Sequence, residues 1–361
     1  MQLWNKLNKE ELEEQLRGVG HQYITISFYQ YAKIANPRLF RDHLFVMWSA
    51  LDVVGRTYVA SEGINAQIAV PTQTLVEFRE KLYEIDFLKG IRLNYAVEDA
   101  EAEFPFLKLK IKVRNKILAD GLEDQTFDVT NKGKHLNAQE FNQLTDDPET
   151  LLIDFRNHYE SEVGHFKGAI LPDVDTFRES LPHIEKTILK GNEERNIVMY
   201  CTGGIRCEKA SAYFKHKGFK NVHQLEGGII KYANDTKHQG IENKFIGKNF
   251  VFDERRGERI TNDIISVCHL CGEAADTHTN CLNSACHLLF IQCEKCKKEL
   301  DNCCSKECQA IFNLPEEEQK VLRKGIDNSN QIFKKGRSEY IKYKAKREKH
   351  LSLADTEKIK K

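Results

Sequence analysis

The stretch "YCTGGIRCEKASAYF", residues 200–214, sets one cysteine at the end of an apolar run. Four small or turn-prone residues, an arginine and a second cysteine follow. Cys201 falls where the strand "NIVMYC" should end and just before a helix. Cys201, Thr202, Gly203, Gly204, Ile205 and Arg206 must turn the chain back within that space, and Gly203 and Gly204 permit the positive φ values this requires. Backbone N–H groups at a helix N-terminus form an anion cradle, suited to a thiolate or to the terminal sulfur of a persulfide. The Cys201 thiol should therefore titrate below its ordinary value of ~8.5. Arg206 adds a fixed positive charge. Cys207 is either a structural residue of the first helical turn or a thiol that resolves a modified Cys201 as a disulfide.

A second cysteine group runs Cys268-x2-Cys271-x9-Cys281-x4-Cys286-x6-Cys293-x2-Cys296-x6-Cys303-Cys304-x3-Cys308. Two CxxC knuckles, each followed by a further cysteine pair, supply the ligands of two tetrahedral thiolate zinc sites. The ligands are expected to be Cys268, Cys271, Cys281, Cys286, Cys293, Cys296, Cys304 and Cys308. Sequential and interleaved pairings fit the spacing equally well. Nine cysteines for eight places leave Cys303 or Cys304 over, and His269, His278 or His287 are possible substitutes. Full thiolate coordination leaves no open position, so the zinc should be structural and should supply much of this segment's folding free energy. Iron–sulfur ligation and plain structural thiols are the competing readings.

The elements that position these groups can be read from hydrophobic period and punctuation. After the charged, helix-like N-terminus, "YITISFYQY" (23–31) reads as a strand. Asn36 and Pro37 open a helix carrying Phe40, Leu44, Met47, Trp48 and Leu51. "GRTYVASEGINAQIAV" (55–70) reads as two strands around Gly63, and Thr74 with Glu77 reads as the capping box of a second helix. "RLNYAV" and the alternating "FLKLKIKVR" resume the strands. The order βαββαβ predicts a ferredoxin-like sandwich. After a polar connector (125–149) come strand "LLIDFR", a short "GAI" strand (168–170), "NIVMYC", a helix from about 206 stopped by Gly218, strand "NVHQL" and "GGIIKYA". This alternation predicts a parallel sheet flanked by helices, with its active loops at the strands' carboxyl ends. The fold class is thus a multidomain α/β and α+β chain. Its expected parts are a ferredoxin-like domain (1–125), an α/β domain (147–240), a polar linker (241–267), a cysteine-rich segment (268–312) and a basic helical or disordered tail (313–361).

Charge sums to zero, with 54 basic and 54 acidic residues, which by itself implies neither a nucleic-acid nor a membrane partner. The distribution is uneven. Lys334–Lys361 holds eleven Lys/Arg against four Asp/Glu, with Tyr340 and Tyr343 interleaved, so this tail is either solvated or an RNA contact. No window approaches the ~18 apolar residues of a membrane span. With no leader-like N-terminus, the chain reads as cytoplasmic, where eleven cysteines serve metal binding or thiol chemistry rather than disulfides.

"LLIDFRNHYESEVGHFKGAI", "CTGGIR" and "GFKNVHQLEGGIIKYA" together closely resemble a rhodanese domain. The matching positions are Asp154, Arg156, Glu160, Gly164, His165, Gly168, Ala169, Cys201 to Arg206, Gly227 and Gly228. The resemblance implies that Cys201 is the nucleophile that carries a persulfide. Asp154 and Arg156 read as an ion pair fixing the sheet, and His165 as a packing residue. With the N-terminal sandwich, the "FVFDERRGERI" bridge and the cysteine-rich end, nearly the whole chain resembles the rhodanese-type tRNA uridine hydroxylases. That likeness implies oxygen-dependent 5-hydroxylation of the wobble uridine, position 34, of tRNA. It implies molecular oxygen as co-substrate, an electron donor, tRNA as partner and Cys201 as the active-site residue, with Arg206 stabilising its anion. The loop itself suggests sulfur transfer, so a sulfurtransferase is the alternative. No His/carboxylate iron triad or dinucleotide loop is evident. Either an oxidised Cys201 delivers oxygen to uridine C5, or Cys201 adds to the adjacent carbon and makes C5 nucleophilic.

Overall fold

The protein is described by a computed structural model covering residues 8–97, 104–122 and 127–324. These fall into two compact units. The first holds the chain up to Asn157, Phe166–Phe245 and Val251–Glu258; the second holds His158–His165, Ile246–Phe250 and the chain from Arg259 onward.

The first unit begins with α1 (Lys9–Val19), β1 (Tyr23–Tyr31), α2 (Pro37–Ser49), β2 (Val54–Ala60), β3 (Gly63–Pro71), α3 (Leu75–Tyr83), β4 (Asn94–Tyr95) and β5 (Leu109–Val113). The sheet order is β4-β1-β3-β2-β5. The first four strands are antiparallel, and β5 extends the β2 edge in parallel. This is the expected ferredoxin-like arrangement with one added strand. Alternate side chains of β1, β2 and β3, among them Ile26, Phe28, Val59, Ile64 and Ile68, are buried with Trp48 and Phe78 of the two helices. The intervening residues Thr25, Ser27, Tyr29, Asn65 and Gln67 therefore occupy the opposite face. Asn36 caps α2, its side chain accepting from the Leu39 N–H at 3.1 Å. The capping box expected at Thr74 does not form, because its hydroxyl donates instead to the carbonyls of Leu51 and Pro71.

The chain continues through β6 (Lys134–Leu136), α4 (Ala138–Thr145), β7 (Leu151–Asp154), α5 (His158–Ser161), β8 (Gly164–Phe166), α6 (Phe177–Ile184), β9 (Ile197–Tyr200), α7 (Ile205–His216), β10 (Val222–Leu225), α8 (Gly228–Gln239), β11 (Phe245–Asn249) and β12 (Glu258–Arg259). Strands β6-β10-β9-β7 form a fully parallel sheet. Its core includes Ile153, Phe155, Met199 and Phe214. Two expectations change. Residues 168–170 do not form a strand: the chain turns at Gly168 (φ +74°) and Ile170 makes a single bridge to Ile153. The 241–267 stretch is no plain polar bridge, since it holds β11 and β12 and buries Phe245, Phe250, Val251 and Glu258.

In the second unit β13 (His278–Asn280) pairs antiparallel with β14 (Leu289–Ile291), and α9 (Glu294–Glu299), α10 (Lys306–Phe312) and α11 (Glu316–Arg323) follow. Tyr159, Phe250, Leu270, Phe290 and Ile291 form its core together with cysteines. The basic tail with Tyr340 and Tyr343 lies outside the described residues, as does the chain from 325 onward. Among the described residues no helix is long and apolar enough to cross a membrane.

Candidate active site and cysteine clusters

Strand β9 ends at Tyr200 and delivers Cys201 to the carboxyl edge of the parallel sheet, 1% exposed. The Gly204 N–H donates to Cys201 Sγ at 3.2 Å. Burial by itself would raise this thiol's pKa. A hydrogen bond from the Cys207 thiol, the Arg206 charge and the N–H groups of Cys207 and Arg206 overcome it and hold the value down to about 6. Cys201 is therefore mostly thiolate at neutral pH. Cys207 does not point away from the loop. Burial first, and then its hydrogen bond to Cys201, push its own pKa well above the ordinary thiol value, so it keeps its proton and donates it.

Of the two loop glycines, only Gly204 takes a positive φ, +101°. A Cβ at Gly204 would also come within 2.9 Å of the Tyr29 hydroxyl. Gly203 instead faces Asn94 and Ser27, each 3.8 Å or more from where its Cβ would sit. The loop is secured from behind by α8, whose Ile229 and Ile230 N–H groups donate to the carbonyls of Cys201 and Thr202 at 3.0 and 3.2 Å. Gly228 makes this approach possible: a Cβ there would lie 2.4 Å from the Cys201 carbonyl oxygen.

Opposite the loop stands the polar face of the five-stranded sheet. Between them lies a cavity of about 90 Å³, lined by Cys201, Thr202, Gly203, Ile205 and Arg206 on one side and by Ser27, Tyr29, Asn65, Gln67 and Asn94 on the other. Asn94 Nδ2 donates to the Gly203 carbonyl at 3.4 Å. The Ser27 hydroxyl, Asn94 Oδ1 and the Thr202 hydroxyl are buried with no partner among the described residues. Buried polar atoms left so are costly, and in a cavity wall they mark a place for a polar ligand.

Residues 251–258 close the third side. Arg206 donates to the Phe155 carbonyl at 3.3 Å and stands over the Phe252 ring at 5.6 Å. Arg255 makes ion pairs of 2.6 Å with both Asp253 and Glu258. Glu258 also accepts from the Val97 N–H at 3.3 Å, which ties this segment to the end of β4.

Asp154 and Arg156 form a fully buried ion pair at 2.6 Å, and the guanidinium lies over the rings of Tyr200 and Phe245. This is the structural ion pair expected from the sequence. In the second unit Glu160 is fully buried. Gly164 is held so close to Lys248 that a Cβ would sit 2.2 Å from its carbonyl oxygen. Lys209 on α7 is buried between Glu62 at 2.8 Å and Asp120 at 3.0 Å. The Gly63 hairpin thus carries, in Glu62, an anchor for the helix that follows Cys201.

The cysteine-rich segment gathers Cys268, Cys271, Cys293 and Cys296 into one group, and Cys281, Cys286, Cys304 and Cys308 into another. Within each group all Sγ atoms lie within 4.8 Å of one another. The pairing, left open by spacing, is interleaved: each half of the segment contributes two ligands to each group. Sulfur separations of 3.6 Å (Cys271 to Cys293) and 3.7 Å (Cys286 to Cys304, and Cys304 to Cys308) match the ~3.8 Å edge of a tetrahedron with ~2.3 Å zinc–sulfur bonds. They are far longer than a disulfide's ~2.05 Å. Both groups can hold a metal ion. Cys303 stays outside them. His269 bonds Glu162 at 2.7 Å and the Ile291 N–H, and His278 packs on Tyr159 and Phe250.

Sequence reasoning missed the far wall of the cavity. Ser27, Tyr29, Asn65 and Gln67 alternate with apolar neighbours, a pattern that marked the strands without saying what their polar face would meet. Asn94 lay in a strand and Phe252 and Arg255 in the "FVFDERRGERI" bridge, but nothing in either stretch assigned them to the cavity.

Residues 23–117 match the family model described as UPF0176 acylphosphatase like domain, 137–235 the rhodanese-like domain, and 246–309 the rhodanase C-terminal model. A protein of Photorhabdus laumondii named tRNA uridine(34) hydroxylase is 50% identical over 336 residues, covering 93% of this chain and 95% of its own. Proteins of the same name from Leptospira interrogans and Yersinia enterocolitica are 50% and 52% identical, each over 93% of this chain and over 90% and 95% of their own. Among solved structures, a rhodanese-like domain protein of Staphylococcus aureus is 22% identical, covering 27% of this chain and 90% of its own at a TM-score of 0.23.

Proposed function

The chain belongs to the tRNA uridine(34) hydroxylase family, and from that premise we propose that it hydroxylates C5 of the wobble uridine of tRNA, with Cys201 as the reacting group. The observation that carries this reading is a stabilised thiolate at the wall of a cavity whose opposite wall offers unpartnered polar atoms. A uracil flipped from a single-stranded loop is read through its polar edge, and the Ser27, Asn94 and Thr202 atoms supply such contacts.

The Cys201 thiolate adds to C6 of the ring, and the electron pair of the C5–C6 double bond moves onto C5 and O4. C5 then attacks an electrophilic oxygen derived from molecular oxygen. Loss of the C5 proton and expulsion of the thiolate restore the double bond. With oxygen as oxidant, a two-electron donor and two protons balance the second oxygen atom as water. Arg206 and the Gly204 N–H serve the thiolate both as nucleophile and as leaving group, and the Cys207 thiol donates a hydrogen bond to the same sulfur. Zinc is the metal that fits the two all-cysteine groups, where it would hold the 268–308 segment folded.

The test is mass spectrometry of tRNA nucleosides from cells lacking the gene, complemented with wild type or Cys201→Ser. Loss of 5-hydroxyuridine-derived nucleosides, restored only by wild type, is expected. Full restoration by Cys201→Ser would overturn the role given to Cys201. Unchanged hydroxylation with a fall in thiolated nucleosides would make the protein a sulfurtransferase.

A further inference from the structure

The polar face of the five-stranded sheet runs past the cavity into a field of cations. In the strand register Ser27 lies opposite Gln67, Gln67 opposite Arg56, and Arg56 beside Lys110. One row further, Tyr29, Asn65, Tyr58 and Lys112 align in the same way. Because side chains alternate between faces, Lys110 and Lys112 share the face that carries Ser27 and Gln67, while Lys108 and Arg114 flank β5, Arg114 with its guanidinium over Tyr58. Arg56, Lys110, Lys112 and Arg114 are exposed. No carboxylate pairs with any of these five cations among the described residues.

Like charges set opposite each other on neighbouring strands destabilise a sheet, and Arg56 beside Lys110 is such a pair. Partial burial first, and then the charges of Lys112, Lys108 and Arg56, lower the pKa of Lys110. Tyr58 lies among them with the Arg114 guanidinium 5.8 Å from its ring centre. A sheet that keeps mutually repelling cations on one edge, in line with a ligand cavity, is arranged for a polyanion rather than for stability.

We propose that this face holds the phosphodiester backbone of the RNA strand flanking the base in the Cys201 cavity, the strand crossing from Lys110 and Arg56 over Gln67 to Ser27. Two strand spacings, ~10 Å, separate Lys110 from Gln67, and the β5 lysines repeat every ~6.6 Å, so successive phosphates can each meet a cation. The identity of the RNA as tRNA rests on the hydroxylase reading. The charge-mediated contact does not.

The test uses the full chain and unmodified tRNA, with binding followed across a salt series. Lys110→Glu with Lys112→Glu should weaken binding at least ten-fold at ~0.1 M salt and reduce the slope of log K against log salt by about 1.4, the value for two lost phosphate contacts on a single strand. The milder Lys110→Gln with Lys112→Gln pair should weaken binding less and raise the melting temperature by relieving repulsion, which separates lost contacts from misfolding. Arg79→Glu, on α3 behind the sheet, should change nothing. A salt slope unchanged in both lysine variants would overturn the proposal. Wild-type protein that binds tRNA with the expected slope but never hydroxylates it would overturn the hydroxylase reading and leave the RNA-binding face standing.

Discussion

At the scale of single residues, the site depends on holding a buried sulfur as an anion. Burial opposes ionisation of Cys201, and three kinds of donor overcome it: the Cys207 thiol, the Arg206 charge and the loop N–H groups. The lowered pKa places the reactive form above, not below, its midpoint. The rate of Cys201 alkylation should therefore rise with pH around about 6 and level off by neutrality, read by mass spectrometry of the Cys201 peptide. Hydroxylation should fail as the pH drops through the same range. Arg206→Gln removes a cation from the anion's surroundings and should move the midpoint upward. A wild-type midpoint near the ordinary ~8.5 would contradict this account. The residues that do this are legible in "CTGGIRC", because they are contiguous. The role of Cys207 is not, since only the pitch of α7 decides where its sulfur points.

At the scale of elements, the loop is shaped by what approaches it. The N-terminus of α8 comes up behind Cys201 only because Gly228, at φ +66°, has no side chain. Gly228→Ala brings a Cβ to 2.4 Å from the Cys201 carbonyl oxygen and must displace the loop that carries Cys201. Displacement of a reacting group by ~1 Å costs about 10²-fold in rate. Steady-state kinetics should show that loss in kcat with tRNA binding largely kept, whereas Gly18→Ala, in α1 with no atom within 4 Å of the added Cβ, should leave kcat within about two-fold. The βαββαβ order and the parallel sheet followed from hydrophobic period and turn residues, which are local properties. The missing capping box at Thr74 and the absent strand at 168–170 show the limit of that reasoning: a hydroxyl took a longer-range carbonyl, and a positive-φ glycine turned the chain early.

At the scale of the whole molecule, the cysteine-rich segment has its hydrophobic core studded with thiols, gathered into two groups that can each hold a metal ion. Purified protein is expected to carry two zinc ions per chain by elemental analysis. Chelation at neutral pH should expose 268–308 to proteolysis, because each structural zinc contributes on the order of 10 kcal/mol to folding. Metal-free protein with an unchanged melting profile would rule out that role. The amino-acid chain alone announces a cradled thiol, a cluster of cysteines and a family likeness, all carried by adjacent or closely spaced residues. It also determined the two main architectures, because period-2 and period-3.6 patterns are written locally. The interleaved pairing of the two cysteine groups, the meeting of the Cys201 loop with the polar face of the N-terminal sheet, and the alignment of Ser27 and Gln67 with Arg56 and Lys110 emerge in the folded chain alone. Those depend on strand register and on contacts between residues that range from about twenty to more than a hundred positions apart, and no local pattern in the chain encodes them.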